Sequence, residues 1–445
     1  MPTVRLSQPL APPRERYQVG KRIRARLPRE AQAEWASATD PPPHRLAMLA
    51  QVNTGRIATL LPVKHQRMRA SPFAFFRGAA VLMAADLATL PHTGLRVQLC
   101  GDAHVRNLGA YAAPDGTLVF DLNDFDETIA GPWEWDLKRL ATSLLLAGEE
   151  AGQSAWRCVE SVRLCVASYR AHLRGFATMP FATLARYLIR RAPDEPLLNE
   201  LFLDAQRVTP DRNLRRLTVE RRGRVRFHDQ RPHLEHVSAQ TAAAVVHSLR
   251  RYHATLNASR RQTFERYRPV DVAFKLVGTG SVGTRDYVVL LFGNGAADPL
   301  FMQVKQELAS CYTRYLPSAP RVDHHGRRVA EGQQMIQTLS DPFLGYTRFD
   351  GHDYLVRQLA DHKAALDPTA LTKRTLFAYA RLCGEVLAKG HARTGDAAML
   401  AGYVGASRKL DTAIATFAVA YAKQTKADYR CFVRSLRTRR ASGVH

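Results

Sequence analysis

From Cys100 to Glu127 the chain reads CGDAHVRNLGAYAAPDGTLVFDLNDFDE, which gathers Asp102, Asn107, Asp121, Asp124 and Asp126 close to His104. Carboxylate and amide oxygens in this density suit a hard cation, which takes oxygen ligands. One acid is then left to take a proton from a reacting hydroxyl. The same residue types also serve ordinary loops, where Asp and Asn side chains cap free backbone groups. The number of acids favours the chemical use, because carboxylates seldom crowd together without a cation or a proton to handle. VQLC and TLVFDL are strand-like runs, and the PDG at 114–116 is a turn signal, so the acids are expected at the ends of a hairpin.

GDAHVRN resembles the catalytic loop of the protein-kinase-like phosphotransferases, in particular the HGDxHxxN of the aminoglycoside and choline kinase branch. NDFDETIAGPWEWDL resembles that branch's metal-binding segment, IDFDDxxxGPxxxDL. Taken together, RMRASPFAFFRGAA, VQLCGDAHVRNLG, FDLNDFDE and HARTGD are similar to the bacterial DUF2252 domain proteins over nearly the whole chain. The kinase resemblance implies ATP and Mg²⁺ as cofactors and an acceptor that carries a hydroxyl group. It implies Asp102 as the base, His104 as the residue that orients the loop or touches phosphate, and Asn107 with one further acid as metal ligands. Spacing after Asn107 favours Asp121 as that acid, whereas the FDE, GP and DL that follow favour Asp124, which is taken here. Asp136 resembles a buried acid that braces the catalytic loop, with a helix N-cap as the equal alternative. Cys100 stands where the branch often carries the His of HGD.

A second group of residues lies downstream. VAFKLVGTGSVGTRDYVVLLFG followed by PLFMQVKQE reads as three strands, with Gly278, Gly280, Ser281 and Gly283 in the first turn. The GxGxxG spacing alone is weak, and β-branched residues follow it where a dinucleotide fold would require a helix. A strand-loop-strand can instead fold its amides over phosphates. Lys305 in MQVK resembles the kinase lysine that holds nucleotide phosphates, and Glu331 in RRVAEGQQMIQTL is its expected ion-pair partner, with Glu307 the weaker candidate. DYLVRQL then resembles the strand that passes the adenine. In ordinary kinases these parts precede the catalytic loop. Here no glycine loop lies upstream of Asp102, since Gly20, Gly55, Gly78 and Gly94 are isolated and Lys64 follows no glycine hairpin. The resemblance therefore implies a circularly permuted chain, in which LCGEVLAKGHART is the displaced helix that leads into the catalytic loop. HARTGD is not a second catalytic loop, because Ala401 occupies the position of the metal-binding Asn.

These elements predict an α+β fold, kinase-like and two-lobed, with a small antiparallel β lobe and a larger, mainly helical lobe. Residues 1–60 form a basic, Pro-rich arm with one helix, 61–260 the first part of the helical lobe, 261–366 the β lobe and 367–445 the second helical part. Ser71 and Pro72 are expected to start a helix through Leu87, and LTVERRGRVRFHD to form a basic hairpin about Gly223.

Composition narrows the function classes. No run of about 18 uncharged apolar residues occurs and no signal peptide opens the chain, so a cytoplasmic protein that does not enter the membrane is expected. The six cysteines show no CxxC pair, hence neither a zinc site nor a disulfide framework. Sixty-four basic against 40 acidic residues give a net charge of +24, a balance that draws polyanions. No Cys/His finger or aromatic RNA motif turns that charge into a nucleic-acid site. The expected function is an ATP-dependent phosphotransferase of unknown acceptor. The alternatives are a nucleotide-binding pseudokinase or polyanion-binding protein, and a metal-dependent phosphoesterase, a class that normally draws several His ligands from separate loops and whose GNH segment with an acid beside it does not occur here.

Overall fold

The computed structural model describes residues 10–36, 40–113, 115–190, 196–317, 322–359, 364–367 and 370–441. Pro114 of the hairpin turn and residues 1–9 and 37–39 of the expected arm lie outside them. The fold mixes α and β, with several small antiparallel sheets. In chain order the strands are β1 (Arg96–Leu99), β2 (Leu108–Ala112), β3 (Leu118–Leu122), β4 (Ile129–Pro132), β5 (Thr218–Arg221), β6 (Arg224–Phe227), β7 (Leu234–His236), β8 (Arg268–Lys275), β9 (Asp286–Phe292), β10 (Pro299–Gln306), β11 (Gly345–Phe349), β12 (His352–Gln358) and β13 (Ala364–Ala365).

The largest sheet has six strands in the order β11-β12-β10-β9-β8-β7. Its central runs, YVVLL and LFMQV, are β-branched and apolar, and β9 and β10 are buried along almost their whole length. Alternate residues serve opposite faces. Val289, Leu291, Met302 and Val304 join one core with Tyr252 of the helix Ala239–His253, whereas Val288, Leu290 and Phe301 join another with Phe227 of the β5–β6 hairpin. The second face, that of Phe301, also carries Gln303 and Lys305. Because β7 belongs to this sheet, the sheet unit begins upstream of residue 261, and β13 pairs with β2, so residue 366 does not bound it either.

The helices Trp133–Glu150, Ala155–Phe176, Thr375–Thr394 and Lys409–Ala441 share the main core, with Trp133, Tyr169, Tyr379, Cys383 and Phe417 fully buried. The second and third of these approach closely at Gly384, where an added Cβ would stand 2.1 Å from the Cys165 carbonyl oxygen. The one helix expected in the basic arm is Pro13–Arg26, and it packs on the body. Its Gly20 lies against Met399 of the helix Ala397–Val404, and Arg24 Nε donates to the Tyr403 carbonyl at 2.9 Å. Part of the positive charge thus serves as a C-terminal cap. The helix expected from Ser71 to Leu87 is two: Pro72–Gly78, capped by Ser71, and Ala80–Ala88, broken where Ala79 leaves helical geometry and Gly78 packs on Met68. Among the described residues no helix is long and apolar enough to cross a membrane, and all six cysteines are free.

Candidate functional site

Strand β1 delivers the chain to Cys100 and then to Gly101, whose φ is +82° and whose missing Cβ would lie 2.2 Å from the Glu127 carbonyl oxygen. Only glycine passes here. The loop that follows is held from three sides. Asp136, inside the helix Trp133–Glu150 and not at its N-cap, accepts from the N–H groups of Cys100 at 2.7 Å and Gly101 at 3.0 Å. His104 Nδ1 accepts from Arg106 N–H at 3.2 Å, and Asn107 Nδ2 donates to the Asp102 carbonyl at 2.9 Å. His391, from the helix Thr375–Thr394, brings Nε2 to 3.5 Å from Asp136 and shares a hydrogen bond of 2.8 Å between Nδ1 and the Tyr169 hydroxyl. A histidine from a distant helix therefore stands behind the loop whose own first residue is Cys100.

Asp102 Oδ1 accepts from Arg139 Nε at 2.6 Å, and Oδ2 lies 3.7 Å from His104 Nε2. Arg139 is fully buried, with its guanidinium carbon 4.3 Å from the Phe76 ring centre. Burial pushes the Asp102 carboxyl up to about 6 despite the opposing Arg139 charge. Burial, with Arg77 and Arg139 nearby, holds His104 well below the usual imidazole range, so it is neutral and its proton sits on Nε2, facing Asp102.

The two rival acids separate. Asp121 is buried at the end of β3 against Lys389 of the helix Thr375–Thr394, away from the cleft. Asp124 lines the cleft, and its Oδ1 is 3.9 Å from Lys305 Nζ. The closest partner of Lys305 is Asp126, with Glu307 at 3.8 Å. Burial opposes the lysine's charge, yet these acids raise its pKa, and the lysine in turn holds Asp126 below the carboxylate range against the same burial. Burial and Asp126 drive Glu307 far upward. Asp124 Oδ1 and Glu307 Oε1 are buried without a hydrogen-bond partner.

Gly278, Gly280, Ser281 and Gly283 lie in the turn from β8 to β9, with no helix after them, and Gly278 and Gly283 have φ of +67° and +92°. The Ser281 hydroxyl donates to the Val277 carbonyl at 2.8 Å. The loop is tied to upstream residues that the spacing of motifs did not single out. Arg56 Nη1 donates to the carbonyls of Gly280 at 2.8 Å and Val282 at 2.7 Å, Arg67 donates to that of Gly278, and Ile57 N–H to that of Gly283 at 2.7 Å.

One narrow cleft of about 110 Å³ is lined by Asp102, His104, Asn107, Asp124, Asp126, Gly278, Gly280 and Ser281, together with Arg56, Lys64 and Arg77. Gly283 backs onto Arg56 behind it. A second cavity of about 560 Å³ is lined in part by Asn123, which precedes Asp124, by Val277, which precedes Gly278, by Gln303, two residues before Lys305 on the same strand face, and by Gln358 and Leu359 at the end of DYLVRQL. Glu331 is not in the cleft. It is half exposed and pairs with Arg327 at 2.7 Å. The helix His325–Ile336 instead turns Arg328 inward, where it donates to the carbonyls of Asp126 and Leu308 at 2.7 and 2.9 Å. Among the described residues no three His, Cys, Asp or Glu side chains converge on one point as an all-protein metal cage. Mg²⁺ typically takes one or two carboxylates and completes its shell with phosphate and water, and the orphaned Asp124 oxygen beside Asn107 fits that pattern.

Residues 56–435 match the family described as "Uncharacterized protein conserved in bacteria (DUF2252)", and the chain belongs to that family. No curated protein and no solved structure matches the chain.

Proposed function

We propose that this DUF2252 protein is an ATP-dependent phosphotransferase with a circularly permuted, kinase-like architecture of two lobes. The observation that carries the reading is the meeting of Asp102, Asn107 and Asp124 with the glycine turn in one cleft that Lys305 also faces. In this reading β8 to β12 and the helix between β10 and β11 make the small lobe, which presents its parts in the kinase order of glycine hairpin, third-strand lysine, helix and two further strands. The permutation is supported where the helix Thr375–Thr394 meets β1. Thr394 Oγ1 accepts from Gln98 N–H at 3.1 Å, a contact that stands in for the covalent link of an unpermuted chain.

The base and ribose would occupy the 560 Å³ cavity and the phosphates the narrow cleft. Asn107 and Asp124 would hold Mg²⁺, which on binding neutralises phosphate charge. Arg139 fixes Asp102 through Oδ1, leaving Oδ2 to accept the acceptor's hydroxyl proton. The freed oxygen bonds to the γ-phosphorus as its bond to the β,γ-bridging oxygen breaks, and ADP leaves with that electron pair. Lys305 and the glycine amides hold the phosphates in line, so the chemistry is chiefly positioning and charge neutralisation.

Incubating the protein with Mg²⁺, ATP and cell extract, followed by mass spectrometry, tests this. A product heavier by one phosphoryl group and absent with Asp102→Asn is expected. Bound nucleotide without any product would favour the pseudokinase reading.

A further inference from the structure

Three cations line the cleft without a carboxylate in direct ion-pair contact, although Glu127, Asp126 and Glu307 act on Arg56 from farther away, Glu127 on Lys64, and Asp102, Asp124 and Glu150 on Arg77. Arg139 and Lys305 have Asp102 and Asp126, whereas Arg56 has only backbone carbonyls, Lys64 Nζ has the Asn53 amide oxygen at 2.7 Å, and Arg77 Nε is buried with no partner at all. Lys64 is 2% exposed. Taking a cation out of water costs several kcal/mol, and neutral oxygens return only part of it. The strain registers as depressed basicity: burial pushes Lys64 down to about 7, with Arg56 adding to the effect, and pushes Arg77 down to about 10. An anion entering the cleft would relieve all three.

The donor's phosphates already have Lys305, the glycine turn and the metal ligands. Arg56, Lys64 and Arg77 come from a different part of the chain, residues 56–77, and Arg77 lies within electrostatic reach of the base Asp102 and of Asp124. That is where an acceptor hydroxyl must stand.

We propose that Arg56, Lys64 and Arg77 form an oxyanion subsite that receives a phosphate or carboxylate group of the acceptor, so that the acceptor is an anionic hydroxyl compound. The acceptor role rests on the phosphotransferase reading. On this side of the cleft a cationic acceptor such as an aminoglycoside would meet Arg56, Lys64 and Arg77, where an anionic one finds its counter-charges.

Inorganic phosphate is the probe, titrated calorimetrically into protein saturated with Mg²⁺ and a non-hydrolysable ATP analogue. Phosphate should bind the loaded protein and raise its Tm. Arg77→Met and Lys64→Met should each weaken that binding by at least about tenfold, and Arg77→Lys should recover part of it. The Tm shift of the unmodified protein needs no variant and decides the matter if a variant fails to fold. Phosphate that binds only nucleotide-free protein, and is displaced by the analogue, would assign the cations to the donor and overturn the proposal. Absence of phosphate binding, or binding indifferent to both variants, would also overturn it. Should the analogue itself not bind, phosphate binding that is lost in Arg77→Met would uphold the subsite and sink only the phosphotransferase reading.

Discussion

Lys305, at the end of β10, is ion-paired with Asp126, a residue 179 positions upstream in the hairpin of acids. Asp124 and Glu307 face the same ammonium at 3.9 and 3.8 Å. One buried cation thus meets three acids, and two of their oxygens remain unpartnered. A buried carboxylate oxygen left in the state of Asp124 Oδ1 is costly, and a divalent cation delivered with phosphates would satisfy it.

Asp124 and Asp121 should therefore fail differently. Asp124→Ala should remove Mg²⁺-dependent nucleotide binding while leaving the fold intact. Asp121→Ala leaves Lys389 buried and unpaired, so it should cost about 3–5 kcal/mol of stability, with nucleotide binding by the folded fraction unchanged. Calorimetric titration beside thermal denaturation separates the two. Loss of nucleotide binding in folded Asp121→Ala would transfer the metal role.

Asp102→Asn should lower the rate of transfer by about 10²–10⁴ with nucleotide affinity within a few fold, because the base acts on the acceptor. The active form is the carboxylate. With its pKa near 6, the rate constant kcat/KM should fall about tenfold per unit as pH drops below that value and level off above it. Arg139, neutral His104, Asp124 and Glu127 are the groups that face or charge this carboxyl. A profile flat through pH 6 would remove Asp102 as the base.

Glu331→Ala should change stability by less than about 0.5 kcal/mol and leave nucleotide affinity alone, since it breaks only an exposed pair. Arg328→Ala, which frees the carbonyls of Asp126, Thr128 and Leu308, should destabilise strongly. Thermal denaturation of the two variants checks the order.

These contrasts mark what the sequence made legible. GDAHVRN, NDFDE, GTGSVG and MQVK could each be assigned to a strand end or a turn from local pattern; the first three line one cleft, and Lys305 of MQVK ion-pairs with Asp126 of the second. Helical spacing does not say which face of His325–Ile336 turns inward, so Glu331 was chosen where Arg328 is the residue that reaches the backbone of Asp126 and Leu308. Asp126 was hidden by its neighbour, because an acid two residues along a DFD segment has no spacing of its own. Arg56, Lys64 and Arg77 lie on separate short helices and turns, and only tertiary packing brings them to the glycine loop. The arm's single basic helix was expected from its sequence, but not its packing, in which two glycines, Gly20 and Gly402, let it lie against the body.

Asp136→Ala should unfasten the catalytic loop by stranding the N–H groups of Cys100 and Gly101. A buried charged acceptor of two bonds lost in this way should cost about 2–4 kcal/mol, read as a fall in Tm. Its activity should fall further than the folded fraction accounts for, because Asp102 is carried by the freed segment. Activity that tracks the folded fraction alone would mean the brace is only structural.

The most direct test of the nucleotide cleft is calorimetric titration of ATP with and without Mg²⁺, in the unmodified protein and in Lys305→Met. Saturable, Mg²⁺-dependent binding at a single site, accompanied by a rise in Tm and greatly weakened in a folded Lys305→Met protein, is the predicted result. No heat and no Tm shift with ATP under either condition, or binding unchanged by Lys305→Met, would contradict it.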